Sequence, residues 1–237
     1  PLIDSQDKSS IDMEELKKMV DEFMAAGFTY FDTAFTYHEQ LSESVLKEAL
    51  VDRYDRDSYI FADKMPTVLV KSGDEYPMYF NKQLEKTGVG YFDYYLMHNM
   101  GRDRYFNTHK WGGFDFARRM KEEGKIKKFG FSFHDDAEML DQILTEHPEV
   151  DFVQLQINYL DWENKIIQSR ACYETARKYN KPIVVMEPVK GGTLANLPKE
   201  ADSMLYEYAP GVLPVSYALR FAASLPGVFM VLSGMSS

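Results

Sequence analysis

Short apolar runs alternate along this chain with longer segments in which apolar residues recur at helical spacing. Runs rich in β-branched and aromatic residues are typical of buried strands, and helical spacing is typical of helices that bury one face. Seven such runs predict strands, at residues 28–33, 59–64, 93–98, 127–133, 152–158, 182–188 and 228–234. The segments between them predict helices at residues 12–26, 42–54, 79–88, 114–124, 136–147 and 166–180.

Alternation of strand and helix predicts parallel strands joined by right-handed crossovers, hence an α/β fold that is either a doubly wound sheet or a (β/α)8 TIM barrel. A doubly wound nucleotide-binding sheet needs a glycine-rich phosphate turn after its first strand, and no G-x-G-x-x-G or G-x-x-x-x-G-K-[ST] pattern occurs. The barrel is therefore preferred. Only seven strands are predicted, so we expect one barrel domain over residues 1–237, truncated at both ends and lacking strand 1 and the closing C-terminal helix.

Some boundaries and one long segment can also be predicted. Ser9 and Ser10 are candidate N-caps of the first helix, and Gly27, Gly88 and Gly124 fall where helix C-caps are expected. Residues 99–113 fit neither pattern, which predicts a long loop after the third strand.

The composition of the chain excludes several classes of partner and of metal site. The chain has 237 residues, 45% of them hydrophobic, and a formal net charge of −10, which argues against nucleic acid or an anionic membrane as partner. Its single cysteine, Cys172, excludes an internal disulfide framework and a cysteine-based metal site, and is expected to lie in the core. No signal peptide or membrane span is recognisable, so we expect a cytoplasmic protein.

Polar residues follow the predicted strands, and in a βα barrel the reactive groups collect at the carboxyl ends of strands. The strand ends in order are Asp32, Lys64, His98, Ser132 with His134, Gln154 to Asn158, Glu187 and Ser233. A buried charge at a strand end is costly unless it is paired, and Asp32 and Lys64 could neutralise each other.

Tyr37 lies five residues after Asp32 and completes a chemical set. A neighbouring ammonium favours the phenolate form of a tyrosine, and a carboxylate can hold that ammonium in place. His98 could add a hydrogen bond to a reacting oxygen. Asp32, Tyr37, Lys64 and His98 together would supply a proton to an oxygen that becomes an alkoxide, which suits carbonyl reduction.

The motifs "FDTAFTY", "FADK" and "DYYLMH" resemble the catalytic motifs of the aldo-keto reductase family. The resemblance continues through "GKIKKFGFSFH", "VQLQINY", "VMEPVKGG" and "VLSGMSS", and so covers nearly the whole chain. It implies an NAD(P)H-dependent oxidoreductase that reduces an aldehyde or ketone. The resemblance also implies that Tyr37 is the general acid, that Lys64 and Asp32 tune it, and that His98 orients the carbonyl.

The same resemblance implies a cofactor, NADPH with NADH as the alternative, bound without a Rossmann fold. The matching positions are Ser132, Gln154, Met186, Val189, Gly192, Gly234 and Ser236. Phe133 stands where the family usually has Asn, and Lys190 is available as a charge near the pyrophosphate path. The "MEPVKGG" variant also resembles a branch whose members often carry a C-terminal ferredoxin-like domain, and no such segment occurs in these 237 residues.

Other functions remain open at this stage. A metal-dependent barrel hydrolase or isomerase could use His98, His134, Asp32 and Glu187, although the helical pattern favours reading "HDDAEML" as a helix N-terminus. Lys64 could form a Schiff base, but a lysine beside Asp32 should stay protonated. A third alternative is a cofactor-binding, redox-sensing subunit with little turnover. Glu187 could contact the ligand or form a salt bridge with Lys190, and the oligomeric state is not predicted.

Overall fold

The computed structural model describes residues 1–4 and 6–234. Within them seven strands are found, all of them predicted from the sequence. They are β1 (Tyr30–Asp32), β2 (Ile60–Met65), β3 (Phe92–Met100), β4 (Ile126–Phe133), β5 (Phe152–Gln156), β6 (Ile183–Met186) and β7 (Val228–Val231).

Nine α-helices lie before and between the strands in the same part of the chain. They are α1 (Met13–Ala25), α2 (Ser42–Leu46), α3 (Glu75–Thr87), α4 (Arg102–Lys110), α5 (Gly113–Glu122), α6 (Ala137–Glu146), α7 (Ser169–Lys178), α8 (Lys199–Tyr208) and α9 (Pro214–Ser224). A π-helical turn, Lys47–Val51, continues α2. None of the helices in the described part has the length and apolar composition needed to cross a bilayer.

The described residues form two compact units, Pro1–Phe131 with Gly234, and Ser132–Ser233. The first unit contains β1, β2, β3 and the part of β4 up to Phe131, in that order. β1 pairs with β2 in parallel, with Asp32 opposite Ala62, and β2 pairs with β3 in parallel, with Lys64 opposite Leu96. This register brings the carboxyl ends of the three strands to one edge, where the candidate catalytic residues lie.

The second unit contains the parallel strands β5, β6 and β7 in that order. Gln154 of β5 lies opposite Val184 of β6, and Gln156 lies opposite Met186. β6 pairs with β7 in parallel, and the register of this pairing shifts between Ile183 and Val184. Most residues of β5 and β6 are fully buried, as expected for parallel strands covered on both faces.

The predicted loop at residues 99–113 is wrong, because most of it is helical: α4 fills it and α5 begins at its end. The sequence "RDRYFNTHK" of α4 has no apolar stripe, and only Tyr105 and Thr108 of this helix are buried. Tyr105 packs against Phe114 of α5, with ring centroids 6.0 Å apart. Tertiary packing therefore stabilises a helix that periodicity does not reveal.

The predicted N-cap of α1 is also wrong. The cap is Asp12, whose side chain accepts a hydrogen bond from the backbone N–H of Glu15 at 3.0 Å. Ser10 instead donates its hydroxyl to the carbonyl oxygens of Asp4 and Asp7 and so closes the preceding turn. At the other ends of helices, Gly27, Gly88 and Gly124 have φ of 84°, 69° and 73°, the left-handed backbone that favours glycine after a helix.

Candidate active site

An ion pair joins the ends of β1 and β2. Lys64 Nζ donates to the Asp32 carboxylate and, at 2.7 Å, to the carbonyl oxygen of Thr33. The Lys64 side chain has no exposed surface, and that of Asp32 is 14% exposed. The adjacent parallel strands β1 and β2 bring together residues that are 32 positions apart in sequence.

Burial and charge act in opposite directions on this pair. Burial disfavours the Lys64 ammonium, but its interactions with Asp32 and Tyr37 outweigh this effect and raise the pKa of Lys64 above its ordinary value. Burial also raises the pKa of Asp32, and the attraction to Lys64 only partly offsets this increase. Asp32 Oδ2 is buried with no hydrogen-bond partner among the described residues, which adds to the cost of its ionised form.

Tyr37 lies over this pair. Its ring centroid is 4.8 Å from Lys64 Nζ, and its ring meets that of His98 edge to face, with centroids 5.6 Å apart. Tyr37 remains 37% exposed, so its hydroxyl-bearing side chain is accessible while Lys64 is not. The structure thus gathers Asp32, Lys64, Tyr37 and His98, the four residues that the sequence predicts as a catalytic set.

The backbone directly after Tyr37 has an unusual conformation. His38, Glu39 and Gln40 have φ of 47°, 54° and 70°, three consecutive non-glycine residues in the left-handed region. Such residues persist only where the surrounding contacts hold them, and they concentrate at functional sites. The sequence "YHEQ" gives no sign of this turn, since it contains neither glycine nor asparagine.

In the second unit, three of the predicted cofactor residues lie on strands. Ser132 of β4 and Gln154 of β5 are buried, and Met186 ends β6. The Gln154 amide approaches the Met186 sulfur at 3.5 Å. Gln154 Oε1 is buried and has no hydrogen-bond partner within the described residues, so this acceptor is available to a donor from a ligand. Phe133 is buried and apolar, so it offers no side-chain amide contact.

The turn after β6 contains Val189 and Gly192. Gly192 has φ of 91°, and a Cβ built on it would meet no atom within 4 Å. Lys190 forms an ion pair with the nearly buried Asp161. Its partner is therefore Asp161 and not Glu187, which the sequence analysis considered. Burial opposes ionisation of Asp161, but Lys190 and Asn158 more than compensate and lower its pKa.

The remaining predicted positions are less informative. Gly234 lies just after β7 with open space around its Cα, and Ser236 falls outside the described residues. Asp136 is the N-cap of α6, and its side chain accepts from the backbone N–H of Met139 at 2.8 Å. This confirms the helix predicted from "HDDAEML".

Comparison with known proteins decides the family. The family model described as "Aldo/keto reductase family" matches residues 4–237. The chain belongs to the aldo/keto reductase family. A search of curated proteins finds no significant match to it.

Solved structures confirm the fold of this aldo/keto reductase. It is 18% identical to an aldo-keto reductase of Bacillus halodurans in its holo form, covering 94% of this chain and 78% of that one, with a TM-score of 0.71. It is 17% identical to an aldo/keto reductase of Klebsiella pneumoniae in complex with NADP and acetate, covering 97% and 78%, with a TM-score of 0.74. It is 15% identical to the glycerol dehydrogenase of Gluconobacter oxydans, covering 94% and 77%, with a TM-score of 0.71.

These likenesses and the family match confirm the barrel-type α/β fold, with seven strands in the described part of the chain. The sequence analysis missed three residues close to the catalytic set, Glu43, Gln83 and Lys86. Glu43 and Gln83 are fully buried polar residues on helices. Their positions within predicted amphipathic helices give no signal, because polar residues there are typical of the solvent-exposed face.

Proposed function

We propose that this aldo/keto reductase uses NADPH to reduce an aldehyde or ketone to an alcohol. The observation that carries the proposal is the buried Lys64–Asp32 ion pair beneath the half-exposed Tyr37, with His98 against the same ring. A phenol held above a buried ammonium is suited to giving its proton to an oxygen atom.

Each residue of this group has a separate role. Tyr37 donates its phenolic proton to the carbonyl oxygen as that oxygen gains negative charge, and Lys64 stabilises the phenolate left behind. Asp32 and the Thr33 carbonyl hold the ammonium of Lys64 in one place. His98 orients the carbonyl by a hydrogen bond. Because Tyr37 is 37% exposed, it can regain a proton from solvent after each turnover.

The second unit offers groups that suit a nicotinamide cofactor. Gln154 Oε1, buried and without a partner in the described part of the chain, can accept a hydrogen bond from a carboxamide N–H. Ser132 is a second candidate for that carboxamide, and the open left-handed turn at Gly192 leaves room for a phosphate chain. When bound, the reduced cofactor supplies the hydride for the carbonyl carbon. NADPH is favoured because the solved Klebsiella reductases of this fold are described in complex with NADPH or NADP.

A fluorescence titration with NADPH, followed by a panel of aldehydes and ketones, tests the proposal. The parent should bind NADPH saturably and oxidise it in the presence of a carbonyl. Tyr37→Phe should bind NADPH with similar affinity but lose about 10²- to 10⁴-fold in kcat, because only the proton donor is removed.

Tyr79→Phe is the matched control. Tyr79 also packs in the first unit, against Phe35 with ring centroids 5.4 Å apart, and has no part in the proposed reaction. Its activity should equal that of the parent. Retention of full activity by Tyr37→Phe would overturn the assignment of the general acid. A folded parent that binds no NADPH would overturn the proposed cofactor.

A further inference from the structure

Three polar residues lie behind the catalytic set and are connected to one another. Glu43 is on α2, and Gln83 and Lys86 are on α3; together we name them the inner brace. Glu43 and Gln83 are fully buried, and the Lys86 side chain is 18% exposed. Buried polar groups are costly unless every hydrogen bond is made, so such a cluster requires a reason.

Gln83 connects the brace to the catalytic lysine. Its Nε2 donates at 3.0 Å to the carbonyl oxygen of Lys64 and at 3.0 Å to Glu43 Oε1. Its Oε1 accepts a hydrogen bond from the Tyr95 hydroxyl. Both donors and the acceptor of the amide are therefore used, which fixes its orientation and holds the Lys64 backbone against α3.

Lys86 connects the brace to the segment that carries Tyr37. Its Nζ donates to the Glu43 carboxylate and, at 2.6 Å, to the carbonyl oxygen of Gln40. Gln40 is the last of the three left-handed residues that follow Tyr37. One ammonium thus holds the end of the unfavourable turn and also the helix that follows it.

We propose that Glu43, Gln83 and Lys86 are positioning residues that set the geometry between Tyr37 and Lys64. The inference rests on the proposed reductase function. Tyr37 and Lys64 belong to different elements, and proton donation requires that the phenol and the ammonium keep a fixed separation. The brace makes this connection through four hydrogen bonds, which run from the Gln40 carbonyl through Lys86, Glu43 and Gln83 to the Lys64 carbonyl.

The chemistry of the brace fits positioning better than stability. A buried ion pair contributes little to stability compared with apolar side chains of similar volume, so stability alone gives no reason for a buried glutamate here. Hydrogen bonds are directional, however, and a saturated network fixes distances that apolar packing leaves adjustable. The brace ends on two backbone carbonyls, one in each catalytic segment, which is where such control is needed.

Lys86→Met tests the proposal, with Lys86→Arg as the rescue and Lys82→Met as the matched control. Lys82 is on the same helix, and its Nζ also lies over the Phe35 ring, at 5.3 Å against 4.7 Å for Lys86. In Lys86→Met we expect kcat for carbonyl reduction to fall about 10- to 100-fold while KM changes by less than about threefold. Lys86→Arg should recover most of the lost kcat, and the kcat of Lys82→Met should equal that of the parent.

Hydrogen exchange followed by mass spectrometry gives a readout that does not depend on turnover. Peptides covering residues 36–46 should exchange faster in Lys86→Met than in Lys82→Met, and Lys86→Arg should restore slow exchange. Unchanged kcat in Lys86→Met, or an equal loss in Lys82→Met, would overturn the proposal. If the parent reduces no carbonyl, the proposed function fails, and the exchange comparison still decides whether Lys86 holds the turn.

Removing Lys86 alone leaves the Glu43 carboxylate buried without its cation, which could unfold the chain. The double variant Glu43→Gln with Lys86→Met removes both charges and still lacks the donor to Gln40. It should fold and show the same fall in kcat as the single variant. A folded double variant with parental kcat and parental exchange would overturn the proposal.

Discussion

Lys64 Nζ lies 4.8 Å from the ring centroid of Tyr37, and the lysine is buried while the tyrosine is half exposed. The cation is therefore screened from water on one side and faces the phenol on the other. In a site of low polarity its electrostatic effect on the phenol is stronger than it would be in solvent. This arrangement depends on Asp32, which provides the opposite charge.

Lys64→Met should lower the free energy of unfolding by about 3–5 kcal/mol, because it leaves the Asp32 carboxylate buried without a partner. The double variant Asp32→Asn with Lys64→Met should regain a large part of this loss, since neither charge remains. Urea denaturation of the parent, both single variants and the double variant measures the coupling. Strictly additive losses would show that the two charges do not interact.

Asp63 should make stability decrease as pH rises. Its side chain is fully buried, and burial followed by the charge of Glu43 raises its pKa well above the ordinary value. Above about pH 4 the unfolded chain has lost this proton while the folded chain keeps it, so the free energy of unfolding falls with pH by up to about 1.4 kcal/mol per unit until the folded pKa is reached.

Asp63→Asn removes this titration and keeps an oxygen that can accept from the backbone N–H of Lys64, which is 2.7 Å from Asp63 Oδ1. Between pH 5 and a higher pH below the folded pKa of Asp63, the variant should gain stability relative to the parent, by up to about 1.4 kcal/mol per unit. Urea denaturation at the two pH values gives the comparison. An equal difference at both would show that Asp63 does not keep its proton in the fold.

Asp93 should have the opposite dependence on pH. It accepts hydrogen bonds from the backbone N–H of Phe61 at 2.9 Å, from Arg56 at 2.7 Å and from Lys127 at 2.9 Å. Burial opposes ionisation of Asp93, but these three donors outweigh it and lower its pKa. Ionised Asp93 therefore contributes to the free energy of unfolding. This contribution is fully present above about pH 4, the pKa in the unfolded chain, and is lost as pH falls through the lower pKa of the folded protein.

Asp93→Ala should therefore destabilise the chain by about 2–3 kcal/mol at pH 7 and by less under strongly acidic conditions. Asp115→Ala is the control, because its ion pair with Arg118 is exposed and should contribute less than about 1 kcal/mol. Thermal or urea unfolding of both variants provides the measurement. Similar losses in the two variants would contradict the role assigned to burial.

The Cys172 thiol should react slowly in the folded protein. It is 4% exposed beside a cavity of about 220 Å³, and burial, with the charges of Asp136 and Asp135, raises its pKa to about 12. At pH 8 this lowers the thiolate fraction roughly 10³-fold relative to an ordinary cysteine. Ellman's reagent should label the native protein far more slowly than the protein in denaturing urea, and equal rates would contradict the burial of the thiol.

Much of the fold could be predicted from the sequence. All seven strands were found because buried parallel strands are continuous apolar runs, and six helices were found because each buries one apolar face. α4, α8 and α9 were not predicted, and α4 was missed because its sequence is polar and its stability comes from contacts with neighbouring elements. The cap of α1 was misplaced because two serines and an aspartate lie within four residues, and only the geometry selects Asp12.

The candidate site was likewise only partly predictable from the sequence. The sequence by itself determined the chemistry. It places a carboxylate, an ammonium, a phenol and an imidazole at or just beyond strand ends, in an order that resembles one family. Only the tertiary structure decided which atoms meet, because contacts between Asp32 and Lys64 or between Gln83 and the Lys64 carbonyl join residues distant in sequence. The left-handed turn after Tyr37 belongs to this second group, since it contains no glycine and its contact with Lys86 joins residues distant in sequence.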